Sequence, residues 1–112
     1  MKRIEAYVQE FMLHHVIREL HAVHVQGVTV ANVRGFGREK DESYPHHTAD
    51  YAVDFTPRVK LEILCGDDQV NELVEAIIKS AHTGRKGDGK VFVTDVEQVF
   101  SIRERQTGEG AI

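Results

Sequence analysis

The chain has 112 residues, 41% of them hydrophobic, which suits one domain spanning 1–112 that buries roughly two-thirds of the surface its unfolded form exposes. A net charge of -4 with histidine neutral argues against a general nucleic-acid binder, whose affinity rests on neutralising phosphates. The one cysteine, Cys65, cannot form an internal disulfide, and no apolar run approaches the roughly 20 residues that span a bilayer, so a cytoplasmic protein without membrane insertion is expected.

Residues 3–9 alternate Ile4, Ala6 and Val8 against Glu5, Tyr7 and Gln9, the period of a half-buried strand. Leu13, Val16, Ile17, Leu20 and Val23 then recur at helical spacing, with Gly27 the expected stop. Residues 28–36 are rich in β-branched side chains and predict a second strand ending in Gly35, Phe36 and Gly37. Between 38 and 50 the apolar pattern disappears, leaving a polar run with Pro45, His46 and His47 that reads as a long loop. From Arg58 the alternation returns, with Val59, Leu61, Ile63 and Cys65 against Lys60, Glu62 and Leu64, where Leu64 is the apolar misfit. Val70, Leu73, Val74, Ile77 and Ala81 form a second helical stripe, with Asp67 and Asp68 near its positive end. Residues 90–96 supply the fourth strand.

The order βαβ, long loop, βαβ predicts an α+β, ferredoxin-like domain: a four-stranded antiparallel sheet with both helices on one face. The other face would carry Tyr7, Thr29, Ala31, Val33, Phe92 and Thr94, too apolar to stay fully wet, which predicts oligomerisation through it.

The stretch TGRKGDGKVFVTDV, residues 83–96, holds three glycines and three basic residues directly before a strand. Gly84, Gly87 and Gly89 permit positive φ and close approach, while Arg85, Lys86 and Lys90 supply positive charge, the chemistry of an anion-binding loop. A glycine-rich surface turn is the plain alternative. The spacing from Gly84 to Gly89 and Lys90 begins a P-loop, but Val91 stands where Ser or Thr must bind magnesium and a strand follows in place of a helix, so the ATPase reading fails.

Thr83 followed by GDGKVFV at 87–93, with GFGR at 35–38 and YAVDFTPRVK at 51–60, resembles the P-II signal-transduction proteins, and the match is colinear along essentially the whole chain. The resemblance implies a non-enzymatic regulator that forms a homotrimer with its sheets lining a central barrel. It implies ATP or ADP, with AMP also open, in clefts between subunits, and control of a target transporter or metabolic enzyme. Carried over residue by residue, Gly87, Asp88, Gly89 and Lys90 would cradle phosphates with Gly37 and Arg38, and Arg103 would reach in from the neighbouring subunit. Thr29, Glu62 and Leu64 match positions around the nucleoside, and Gly35 brings backbone close to it. Residues 37–55 resemble the T-loop that grips or releases targets, and 98–112 form a C-terminal tail.

The chain departs from the family pattern at two places. Glu39 replaces a glutamine that helps magnesium hold 2-oxoglutarate beside ATP; a carboxylate can ligate magnesium but repels a dianionic acid, which leaves that effector open, with Lys40 and Arg58 the matching basic residues. Ser101 replaces an arginine facing the phosphates, a change expected to weaken ATP more than ADP or AMP. Tyr51 aligns with a tyrosine that some relatives uridylylate. His46 and His47, beside Tyr44, Glu42 and Asp41, are candidate metal ligands or plain solvated residues. Two function classes follow: a nucleotide sensor acting on a target as in nitrogen regulation, or a divergent adaptor responding to a metal ion or bicarbonate and tied to inorganic-ion transport. No nucleophile with an adjacent base is visible, so a hydrolase ranks last.

Overall fold

The structure, a computed structural model, describes residues 1–37 and 55–112. Four strands and two helices follow in the order β1 (Lys2–Val8), α1 (Leu13–Ala22), β2 (Thr29–Gly35), β3 (Thr56–Cys65), α2 (Val70–Ala81) and β4 (Gly89–Asp95). The strands form one antiparallel sheet in the spatial order β2-β3-β1-β4, the ferredoxin-like arrangement expected from two βαβ units. Inward residues of the central strands, Ile4, Ala6 and Val8 on β1 with Val59, Leu61, Ile63 and Cys65 on β3, meet Val16 and Leu20 of α1 and Leu73, Ala76, Ile77 and Ala81 of α2. That single layer of contacts is the core. Burial there raises the Cys65 thiol pKa, as suits a buried packing group.

Several boundaries differ from the sequence expectation, each for a local reason. The first helix ends at Ala22, well before Gly27, because His24 takes a left-handed φ of 61° and the Val25 N–H turns back to the Leu20 carbonyl at 3.0 Å. The third strand begins at Thr56, two residues before Arg58. Pro57 is tolerated in it because β1 ends where Val8 pairs with Val59, so this part of β3 has a described neighbour only in β2. The fourth strand begins one residue early, at Gly89, a residue that the pairing itself requires. Its φ is 108°, and a Cβ there would stand 1.7 Å from the Tyr7 carbonyl oxygen.

The face of the sheet away from the helices carries the residues expected there, but it is not the apolar surface that the alternation suggested. Directly paired residues share a face, which sets Lys90, Tyr7, Lys60 and Ala31 in one row and Phe92, Glu5, Glu62 and Thr29 in the next. Arg3, Leu64 and Thr94 form a third. Charges therefore alternate with apolar groups across it. At its centre Glu5 is only 8% exposed, accepts a hydrogen bond from the Tyr7 hydroxyl at 2.8 Å, and lies 3.7 and 3.8 Å from Arg3 and Lys60. This bond to Glu5, with burial and the Glu5 charge behind it, raises the Tyr7 pKa.

Candidate functional site

The glycine segment after α2 is a closed turn organised by one carboxylate. Asp88 accepts hydrogen bonds from the backbone N–H of Thr83 at 2.8 Å, from that of Gly84 at 3.0 Å and from the Thr83 hydroxyl, whose oxygen in turn accepts the Arg85 N–H at 3.2 Å. Gly84 and Gly87 hold φ angles of 85° and 93°, where a side chain is strained. Partial burial acts to raise the Asp88 pKa, but the Thr83 hydroxyl, the two N–H donors and nearby His82 outweigh it, and the net shift is downward. The carboxylate thus spends its acceptors inside the turn, leaving Arg85, Lys86 and Lys90 exposed around it as the positive groups. A cavity of about 300 Å³ runs beside the turn, lined by Tyr7, Val74, Ile78 and His82 among others.

A second concavity, of about 510 Å³, lies at the opposite end of the open face. Arg3, Glu62, Leu64, Thr94, Val96 and Val99 are among its walls, and Arg3 bridges it with a nitrogen 3.8 Å from Glu62. Thr29 pairs directly with Glu62 in the sheet register. Three sequence-predicted residues, Thr29, Glu62 and Leu64, therefore fall at or beside one cleft. The register places them two and four residues along the strands from the row that holds Lys90.

The remaining predicted residues stand apart from both. Gly35 closes β2 opposite Thr56, and Gly37 follows Phe36, whose ring meets that of Phe55 edge-on at 5.3 Å, with the Arg34 guanidinium 5.9 Å above Phe55. This aromatic contact ties together the two chain ends that flank 38–54. Arg58 lies on the open face opposite Val33. Arg103 is exposed on a C-terminal turn where the Ser101 N–H donates to the Gln106 carbonyl at 2.8 Å and Ile102 is 99% exposed. Arg38, Glu39, Lys40, His46, His47 and Tyr51 lie outside the described residues, as do the effector, metal and modification readings that rest on them. Among the described residues no group of three or more His, Cys, Asp or Glu side chains could hold a metal ion, and no helix is long and apolar enough to cross a membrane.

The sheet topology adds a fact that the linear motif does not carry. The glycine turn leads into β4 and Thr29 opens β2, and these strands are opposite edges of the sheet, three inter-strand spacings or about 14 Å apart.

Comparison with known sequences gives the family. The family described as nitrogen regulatory protein P-II matches residues 1–106. The chain belongs to the P-II family. Proteins named nitrogen regulatory protein P-II from Pasteurella multocida, Azospirillum brasilense and Mesorhizobium japonicum are 48%, 47% and 46% identical to it, each over 112 residues and the full length of both chains. As a P-II protein it is a regulatory, non-enzymatic signal transducer. The sequence resemblance named this family correctly. What sequence reasoning missed is the Arg3–Glu5–Lys60 cluster and the Phe36–Phe55 contact. Strand parity alone puts residues 3, 5 and 7 on one face, so the cluster had a signal; the ring contact depends on where two distant chain segments meet and had none.

Proposed function

We propose that this P-II protein binds ATP or ADP, with AMP a weaker candidate, at clefts between copies of a homotrimer, and that nucleotide occupancy sets how the 37–55 segment engages a transporter or metabolic enzyme. The observation that carries the reading is the division of the candidate residues between the two sheet edges. Gly87, Gly89 and Lys90 sit at the β4 edge, Thr29 and Gly35 at the β2 edge, and one nucleotide can meet both sets most simply where the β2 edge of one copy adjoins the β4 edge of the next. Both edges are also poorly protected. Val30, Phe92 and Val93 are all more than a third exposed, an aggregation hazard for an isolated chain and an ordinary feature of a buried interface.

The residue chemistry fits the ligand class. A glycine turn with three exposed basic residues suits phosphates; Thr29 and Glu62 offer a hydroxyl and a carboxylate for a nucleoside, and Leu64 an apolar wall. Asp88 supports this role by shaping the turn. Arg103 from an adjacent copy supplies a further cation. Binding regulates a target only to the extent that nucleotides favour different states of the segment they contact.

Titration calorimetry of the purified protein with ATP, ADP and AMP in magnesium, with and without 2-oxoglutarate, tests the ligand, and light scattering tests the trimer. Saturable adenine-nucleotide binding by a species of three times the chain mass is expected, and a Lys90→Gln variant should bind at least about tenfold more weakly. A monomer, or no binding by any of the three nucleotides, overturns the reading.

A further inference from the structure

Gln9 is fully buried, and both ends of its carboxamide, the Nε2 donor and the Oε1 acceptor, lack a hydrogen-bond partner among the described residues. Such a group carries a desolvation cost that a fold selected only for stability would avoid, since a leucine of similar shape fills the same space without it. Nor does Gln9 serve its local backbone. It precedes the 3-10 turn at Glu10–Met12, where its carbonyl accepts the Met12 N–H at 2.9 Å, but its side chain makes no cap bond.

Its position suggests what completes it. Val8, the last residue of β1, pairs with Val59 on one side and Gly89 on the other, so Gln9 stands next in register to Arg58 and to Asp88. The glycine turn is pressed directly against this end of β1, as the missing Cβ of Gly89 against the Tyr7 carbonyl shows. An anion drawn to the turn by Lys90 and its glycines therefore arrives beside Gln9, whose buried carboxamide is unused among the described residues.

We propose that Gln9 is a ligand-completed residue of the nucleotide site: its Nε2 donates to a phosphate oxygen of the bound nucleotide and its Oε1 accepts from water hydrating that phosphate. Because the side chain is fully covered, entry of the phosphate displaces part of its cover, and binding is linked to a local rearrangement at the end of β1. The inference rests on the nucleotide reading above and assigns a phosphate-reading group that the glycine motif does not contain.

The test compares the wild type with Gln9→Leu, measuring thermal midpoints without ligand and affinities for ATP, ADP and adenosine. The expected result is a ligand-free midpoint equal to or above that of the wild type, ATP and ADP affinities about ten- to hundredfold lower, and unchanged adenosine affinity by ligand-observed NMR. Unchanged ATP affinity, or an equal loss for adenosine, overturns the assignment and leaves the nucleotide reading standing. A lowered midpoint or failure to fold shows that the amide has a structural partner and overturns it too. If the wild type binds no nucleotide, both readings fall together.

Discussion

The central strands β1 and β3 and the edge strands β2 and β4 draw on similar β-branched residues and meet opposite environments. Every helix-facing residue of β1 from Ile4 to Val8 and of β3 from Val59 to Cys65 is at most 1% exposed, whereas β2 and β4 contain no buried residue at all. The difference follows from geometry: the two helices cover the middle of the sheet, and the edges keep one unpaired side each. Stability is thus concentrated in the centre. The groups proposed to meet the nucleotide, Thr29, Gly35 and the turn before β4, are left at the rims, where a neighbouring copy or a small molecule can reach them.

Breaking the centre should have the largest effect. Leu61→Ala, at a fully buried site in the core, is expected to cost about 2–5 kcal/mol in urea unfolding, against less than about 1 kcal/mol of chain stability for Val30→Ala on the β2 edge. If the edge substitution instead dissociates the proposed oligomer at low concentration, the comparison sharpens. Gly89→Ala comes next, because it forces a Cβ onto the Tyr7 carbonyl at a φ that L residues avoid. A loss of more than about 2 kcal/mol is expected, with rearrangement of the turn visible in amide chemical shifts from 83 to 90.

Asp88→Ala removes the acceptor for three donors and should destabilise by about 1–2 kcal/mol while weakening nucleotide binding. The pH dependence has a definite sign. The folded pKa of Asp88 lies below its unfolded value near 4, so its contribution is present above that value and is lost as pH falls through the folded pKa. The wild type should therefore lose stability relative to Asp88→Asn as pH falls below about 4, in thermal melts run between pH 2 and 7, and a constant difference over that range would refute the assignment. The smallest effect is expected on the open face. Glu5→Gln keeps an acceptor for the Tyr7 hydroxyl and loosens two ion pairs that are already long, for about 1 kcal/mol or less by denaturation, with a larger change in subunit association if that face lines the trimer.

Much of this molecule was legible in its sequence because its elements obey short periods. Alternation at 3–9 and 58–65 and the stripe from Val70 to Ala81 each encode a local pattern of burial, and the glycine and basic residues at 84–90 mark a turn wherever the chain places it. Family membership was legible for the same reason, as its motifs are contiguous. Other features depend on which distant segments become neighbours. The helix stop at His24 came from a left-handed residue that no composition rule singles out. The sequence marked Tyr7 and Phe92 as an apolar face, and only the pairing of β1 with β3 brought Lys60 beside Glu5 and turned that face into an alternation of rings and charges.

The sequence by itself determined the strands, the helices and the glycine-rich, basic turn, since periodicity and residue type act within a few residues. Tertiary structure alone decided that the turn and Thr29 lie on opposite edges, that Glu62 and Leu64 share a cleft with Arg3, and that the Gln9 carboxamide is buried without a hydrogen-bond partner among the described residues. Those outcomes arise from the order in which four strands pair, a long-range choice made by burying one common core.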